Sequence, residues 1–299
     1  MINISIIKKV RVFLSQANSL KYLDPNIFEK IDRFKEIAEI NFNEYFLEYI
    51  STLPKLDFEN VVKISREVYQ VYGKETEFDT ILEKLVSNHN IDNGSLNKED
   101  ENCITNASEN RILLSGTCYD VIMLCHEIGH KLRYNDSYND KIMDSVLFET
   151  PSIIMEFAAD EYLKNIYNID LGIHDLRKKQ ILSRSKDNNI ENDIFMIIIN
   201  LMKNNKLDII HLYNGIVSNN NISNYLNNHN VSIMESFDEA MSNYNYEIGY
   251  IIGSNALNST NKKELLDECL SYKDLGINIP FTIDENIIQT SLKSEEHIK

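Results

Sequence analysis

Thr117-Cys118-Tyr119-Asp120-Val121-Ile122-Met123-Leu124-Cys125-His126-Glu127-Ile128-Gly129-His130 is the stretch on which the reading of this chain turns. Thr117 and Asp120 have the spacing of a capping box, in which a Ser or Thr is followed three residues later by an acid, and an apolar run from Val121 to Cys125 comes next. This order predicts a helix that starts at the turn and runs through His130. On such a helix His126 and His130 differ by about 40° and sit one turn apart on one face. Two imidazoles placed that way suit adjacent corners of a zinc tetrahedron. Glu127 is turned by about 100° from His126, near enough to reach a water at the metal without ligating it.

Two surface histidines on an exposed helix would give the same spacing. The cap and the apolar run weigh against that bland reading. So does Gly129, because a glycine inside a helix costs about 1 kcal/mol relative to alanine and implies close packing or access beside the ligands. The chemistry this predicts is hydrolytic. The metal acidifies a water and polarises a carbonyl, and Glu127 takes the water's proton and delivers it to the leaving amine. A catalytic zinc needs a third protein ligand and an open fourth position. Candidates downstream are Glu149, Glu156 and Asp160, set in the apolar segment 148–160. Glu149 and Glu156 are seven residues apart, so on one helix both face the same way, and spacing alone does not choose between them. The other histidines (His89, His174, His211, His229 and His297) are scattered singly and read as surface or core residues.

Working outward, residues 25–53 place apolar side chains at helical spacing, with Pro25 in the first turn and Pro54 as the stop. Residues 57–73 and 76–88 repeat the pattern, with Gly73 as a C-terminal cap. Residues 91–102 read as a polar loop, and 103–105 and 111–115 as two short strands around a turn at 108–110. Beyond residue 144 helical periodicity returns, with asparagine-rich connectors at 186–193, 204–205, 218–221 and 227–230. Nine glycines and four prolines in 299 residues leave little material for a turn-rich β protein. The expected fold is therefore mainly α, a helical body with a small β-sheet beside the histidine-bearing helix. It reads as one compact unit over 1–299, with an N-terminal helical region (1–56), a catalytic region (57–285) and a polar tail (286–299).

The formal charge of −16 repels phosphate backbones and anionic head groups, which excludes nucleic acid and membrane surfaces as expected partners. Cys103, Cys118, Cys125 and Cys269 form no C-x-x-C pair and read as reduced, small apolar residues. Lys8, Lys9 and Arg11 interrupt any secretory apolar region. The run Ile194–Ile199 is far short of the ~20 residues that span a bilayer. A cytoplasmic location is the expectation.

Three stretches, in order, resemble the thimet oligopeptidase and oligoendopeptidase F family of zinc peptidases. Residues 111–133 (RILLSGTCYDVIMLCHEIGHKLR) look like the family's strand, capping turn and active-site helix. Residues 148–160 (FETPSIIMEFAAD) look like its second metal helix, and 244–256 (YNYEIGYIIGSNA) resemble a tyrosine-bearing segment. Weaker likeness covers roughly 57–283, the family's catalytic half. The resemblance implies a helical fold with a channel, one zinc per chain and cleavage of short peptides. It implies His126, His130 and Glu149 as zinc ligands, Glu127 as the base and Glu156 as an outer carboxylate. It also implies Tyr250 as the donor that stabilises the tetrahedral intermediate. Strand 111–115, through Ile112 and Leu113, would pair with substrate backbone, with Tyr244 and Tyr246 beside it. The chain departs from the family in being much shorter, so much of the helical roof is missing, and in having no clear counterpart of a histidine near the tyrosines. The function expected is a zinc endopeptidase acting on short or flexible peptides. The alternatives are a protease dedicated to one precursor peptide, and a regulatory or binding protein with a metallopeptidase body and little turnover.

Overall fold

The computed structural model describes residues 42–88, 91–92, 112–133, 149–187, 193–194, 196–197, 200–201, 204, 206, 209–229, 233–258 and 262–271. Helix α1 (Phe42–Thr52) stops just before Pro54, where a ring without an N–H blocks continuation. The earlier part of the helix expected over 25–53 lies outside the described residues. Helix α2 (Phe58–Val71) is capped by Asp57, whose carboxylate accepts from the Asn60 N–H at 2.9 Å. Gly73 follows it at φ +64°, a conformation that favours glycine. Helix α3 (Glu75–Ser87) completes this N-terminal group.

Strand β1 (Ile91–Asp92) pairs in parallel with β2 (Ile112–Leu113), Ile91 opposite Ile112. The polar composition of 91–102 concealed that pairing, so its first two residues correct the loop reading. Residues 103–105 lie outside the described region.

Helix α4 (Tyr119–Arg133) carries the histidine motif. Its start uses both halves of the expected box, with one shifted. The Asp120 carboxylate reaches back to the Thr117 N–H at 3.2 Å, while the Thr117 hydroxyl accepts from the Tyr119 N–H at 3.3 Å and not from Asp120. Asp120 also accepts from the Ser115 N–H at 2.8 Å and the Gly116 N–H at 2.7 Å, gathering the turn onto one buried carboxylate. Burial raises its pKa, and the Ser115 hydroxyl and these N–H donors act against that rise.

Helix α5 (Thr150–Tyr162), which ends in a π-helical turn at Leu163–Tyr167, is the centre of the packing. All ten residues from Thr150 to Ala159 are buried, as expected of a helix apolar on every face. It is flanked by α4 and by the 26-residue helix α9 (Ile233–Asn258). Both neighbours approach on glycine. A Cβ at Gly129 would lie 2.7 Å from the Ser152 Cα, and one at Gly249 would lie 2.6 Å from the Ile153 Cδ1. Gly129 therefore reflects close helix packing.

Helix α6 (Ile173–Asp187) packs on α5 and α9, and α10 (Lys262–Ser271) on α5. Between α6 and α9 lie α7 (Ile209–Ser218) and α8 (Asn220–His229). The asparagine-rich stretches expected as connectors are thus helical at 186–187, 193, 218, 220–221 and 227–229. The Asn219 side chain accepts from the Asn221 and Ile222 N–H groups and starts α8, so asparagine here acts as a cap. The core includes Tyr69, Phe78, Ile122, Leu124, Ile128 and Phe157, all fully buried. Cys118, Cys125 and Cys269 are buried, as expected of small apolar residues; burial pushes the Cys125 thiol up to about 12. Cys103 lies outside the described residues. The described fold is mainly α, and none of its described helices is long and apolar enough to cross a membrane.

Candidate metal centre

Because α4 presents one face to α5, its two histidines point at the start of that helix. His126, Glu127, His130 and Glu149 are each only 4–5% exposed. The His126 and His130 Nε2 atoms lie 3.0 Å apart, and each is 3.6 Å from the Glu149 Oε2. A triangle with these edges has its centre about 2.0 Å from every corner, which is the length of a zinc bond to imidazole nitrogen or carboxylate oxygen. Three buried donors of the right types meet at the right separations. The group can hold a metal ion.

Pro151 settles how Glu149 is held. It occupies the first turn of α5, so the helix opens there and Glu149 lies in the flanking turn, its carbonyl accepting from the Ile153 N–H at 2.9 Å. Glu156, two turns further on, is fully buried and does something else. Its Oε1 lies 2.7 Å from the His126 Nδ1, an ion-pair contact. An ionised carboxylate only accepts, so this approach favours the tautomer with its hydrogen on Nδ1, which leaves the Nε2 lone pair for the triangle. The Arg177 guanidinium of α6 grips the same carboxylate, Nε donating to Oε2 at 3.0 Å and Nη2 donating to Oε1. Burial alone would raise the Glu156 pKa; the charges of Arg177 and then His126 outweigh it and hold the carboxyl below its usual range. At His126 burial opposes the protonated form, and Glu156, with help from Glu127 and Glu149, more than compensates, so its pKa is raised. Asp160, the remaining candidate, accepts from the Leu171 and Ile173 N–H groups and caps α6.

The other expected site residues are more dispersed. Tyr250 of α9 is buried, and its hydroxyl is 2.9 Å from the His174 Nε2; burial pushes the phenol up to about 12. Tyr246 is half-buried, with the Arg177 guanidinium 5.6 Å from its ring centre. Ile112 is buried in β2, while the side chains of Leu113 and Tyr244 lie outside the described residues.

Two participants escaped the sequence reading. His174 looked like a solitary histidine, yet it joins Tyr250 and Ser254. No local pattern announces it. Arg177 was legible in principle, because it falls four residues from both Ile173 and Ile181, on the apolar stripe of α6. A cation there needs a buried anion, and Glu156 stands alone in its apolar run. Comparisons with protein-family models, with curated proteins and with solved structures return no match.

Proposed function

We propose that the chain is a zinc-dependent endopeptidase, cytoplasmic, acting on short or flexible peptides, in the manner of the oligopeptidases its motifs resemble. The observation that carries the reading is the triangle of His126 Nε2, His130 Nε2 and Glu149 Oε2, with the Glu127 carboxylate next in sequence to one of its corners. Two neutral imidazoles and one carboxylate are the donor set of a catalytic zinc, which keeps one position for water or substrate. When bound, the ion supplies Lewis acidity, polarising a carbonyl and lowering the pKa of a water to about 7.

The remaining steps belong to side chains. Glu127 takes a proton from the attacking water as its oxygen bonds to the scissile carbonyl carbon, and passes that proton to the amine nitrogen as the C–N bond breaks. Glu156 keeps His126 oriented throughout. We assign Tyr250 the hydrogen bond to the developing oxyanion, on the strength of its place in the tyrosine-bearing segment. The β2 edge and Tyr246 would contact peptide backbone.

The test is cleavage of a mixture of short peptides, offered beside an intact unfolded protein and read by mass spectrometry. We expect cleavage of the peptides that stops on chelation and returns when one equivalent of Zn2+ is added. Cleavage that survives complete removal of metal would overturn the reading.

A further inference from the structure

We propose that Arg177 is a positioning residue of the metal centre: by clamping Glu156 from α6, it fixes the His126 ring so that Nε2 faces His130 and Glu149. The inference rests on the metal reading of the triangle and does not need the peptidase reading.

Glu156 is fully enclosed, so only protein groups can orient its carboxylate. Its single described contact on the metal side is the 2.7 Å approach of Oε1 to His126 Nδ1. One such contact leaves the carboxylate free to swing about its terminal torsion, which is broad for glutamate. The planar guanidinium removes that freedom by engaging both oxygens, Nε on Oε2 at 3.0 Å and Nη2 on Oε1. Oε1 then keeps a fixed direction toward His126. A lysine in this place would supply charge without the two-point grip.

Arg177 is itself fixed. Its side chain is 11% exposed, Nη1 donates to Gln180 one turn along α6, and the guanidinium faces the ring of Tyr246 on α9. Four helices therefore meet at one chain of contacts, from Tyr246 (α9) through Arg177 (α6) and Glu156 (α5) to His126 (α4). A purely structural ion pair would stabilise the fold but would leave the imidazole tautomer and metal affinity alone.

Zn2+ alone is the probe, titrated against a chromophoric chelator into wild-type protein, Arg177→Met, Arg177→Lys, Glu156→Gln and the double variant Arg177→Met/Glu156→Gln. The second readout is the 15N imidazole spectrum of the metal-free protein at alkaline pH, where the ring is neutral. We expect wild-type His126 to hold its hydrogen on Nδ1. Arg177→Met should give a tautomer mixture and a Zn2+ affinity about 10- to 100-fold lower, with Arg177→Lys in between. Because Arg177 acts through Glu156, the double variant should bind Zn2+ within about two-fold of Glu156→Gln alone. Arg177→Met with the wild-type tautomer and affinity would overturn the proposal, as would a further loss of about ten-fold in the double variant. If Arg177→Met fails to fold around an uncompensated carboxylate, the neutral pair in the double variant still decides it. Failure of the wild-type chain to take up Zn2+ would overturn the metal reading instead, and the imidazole spectrum would still report whether Arg177 sets the ring.

Discussion

Gly129→Ala separates the geometry of the metal centre from the stability of the helices that carry it. The new Cβ would lie 2.7 Å from the Ser152 Cα and 3.1 Å from its backbone nitrogen, where ordinary contact begins at 3.4 Å. Backbone cannot rotate away as a side chain can, so α4 and α5 must part by about 0.7 Å. The histidines ride on α4 and Glu149 on the start of α5, so both 3.6 Å edges of the donor triangle lengthen by that amount while the 3.0 Å edge stays. The centre of the stretched triangle is then about 2.3 Å from each corner, outside the ~0.2 Å tolerance of a zinc site. Overpacking costs about 1–3 kcal/mol, and alanine returns about 1 kcal/mol through its better helix propensity, leaving a net loss of ~0–2 kcal/mol. The variant should therefore fold, yet bind Zn2+ at least ~100-fold more weakly. Urea denaturation of the metal-free protein gives the first quantity and a chelator competition the second. A folded variant with wild-type Zn2+ affinity would refute the claim that this contact sets the site.

The two acids, one just before α5 and one within it, should behave differently: Glu149→Ala should lose metal and activity together, and Glu156→Ala should weaken Zn2+ by about 10- to 100-fold without abolishing the site. Atomic emission after gel filtration reads both, and a fully metallated Glu149→Ala would exchange their roles. Tyr250→Phe should lower kcat with KM nearly unchanged, by about 3 kcal/mol for an oxyanion donor; a loss in Tyr246→Phe alone would move the assignment there. Tyr72 titrates at about 12 against an ordinary 10.0, first through burial and then through the charge of Glu161. A phenol whose folded pKa is raised gives stability that is whole below 10 and lost as pH climbs through 12. Tyr72→Phe lacks that loss, so between neutral pH and pH 11 it should gain about 1.4 kcal/mol on the wild-type protein, and parallel stability curves would contradict the shift.

The local half of the structure was readable because it rests on short-range rules. Pro54 stops a helix by lacking an N–H, Thr117 offers a side-chain acceptor at a helix start, and His126 and His130 share a face through the 3.6-residue repeat. What spacing left open was settled by packing. Glu149 lies in the turn before α5 and Glu156 two turns further on, and only the position of α4 makes the first a corner of the triangle and the second a neighbour of His126 Nδ1. Arg177 and His174 come from a helix some twenty residues further on, and nothing local says which carboxylate or phenol they will meet. The asparagines of 220–229 misled for a related reason. Asparagine favours caps and turns by bonding nearby backbone, and here Asn219 uses that bond to begin a helix.

Glu127→Gln, loaded with one equivalent of Zn2+ and assayed on the same peptides as the wild-type chain, puts the central claim to its most direct test. The amide matches the carboxylate in shape but cannot accept the proton of the attacking water. The account predicts a variant that holds its metal as tightly as wild type and turns over ~10²–10⁴-fold more slowly. A variant that cleaves at the wild-type rate, or that sheds its zinc, would contradict it.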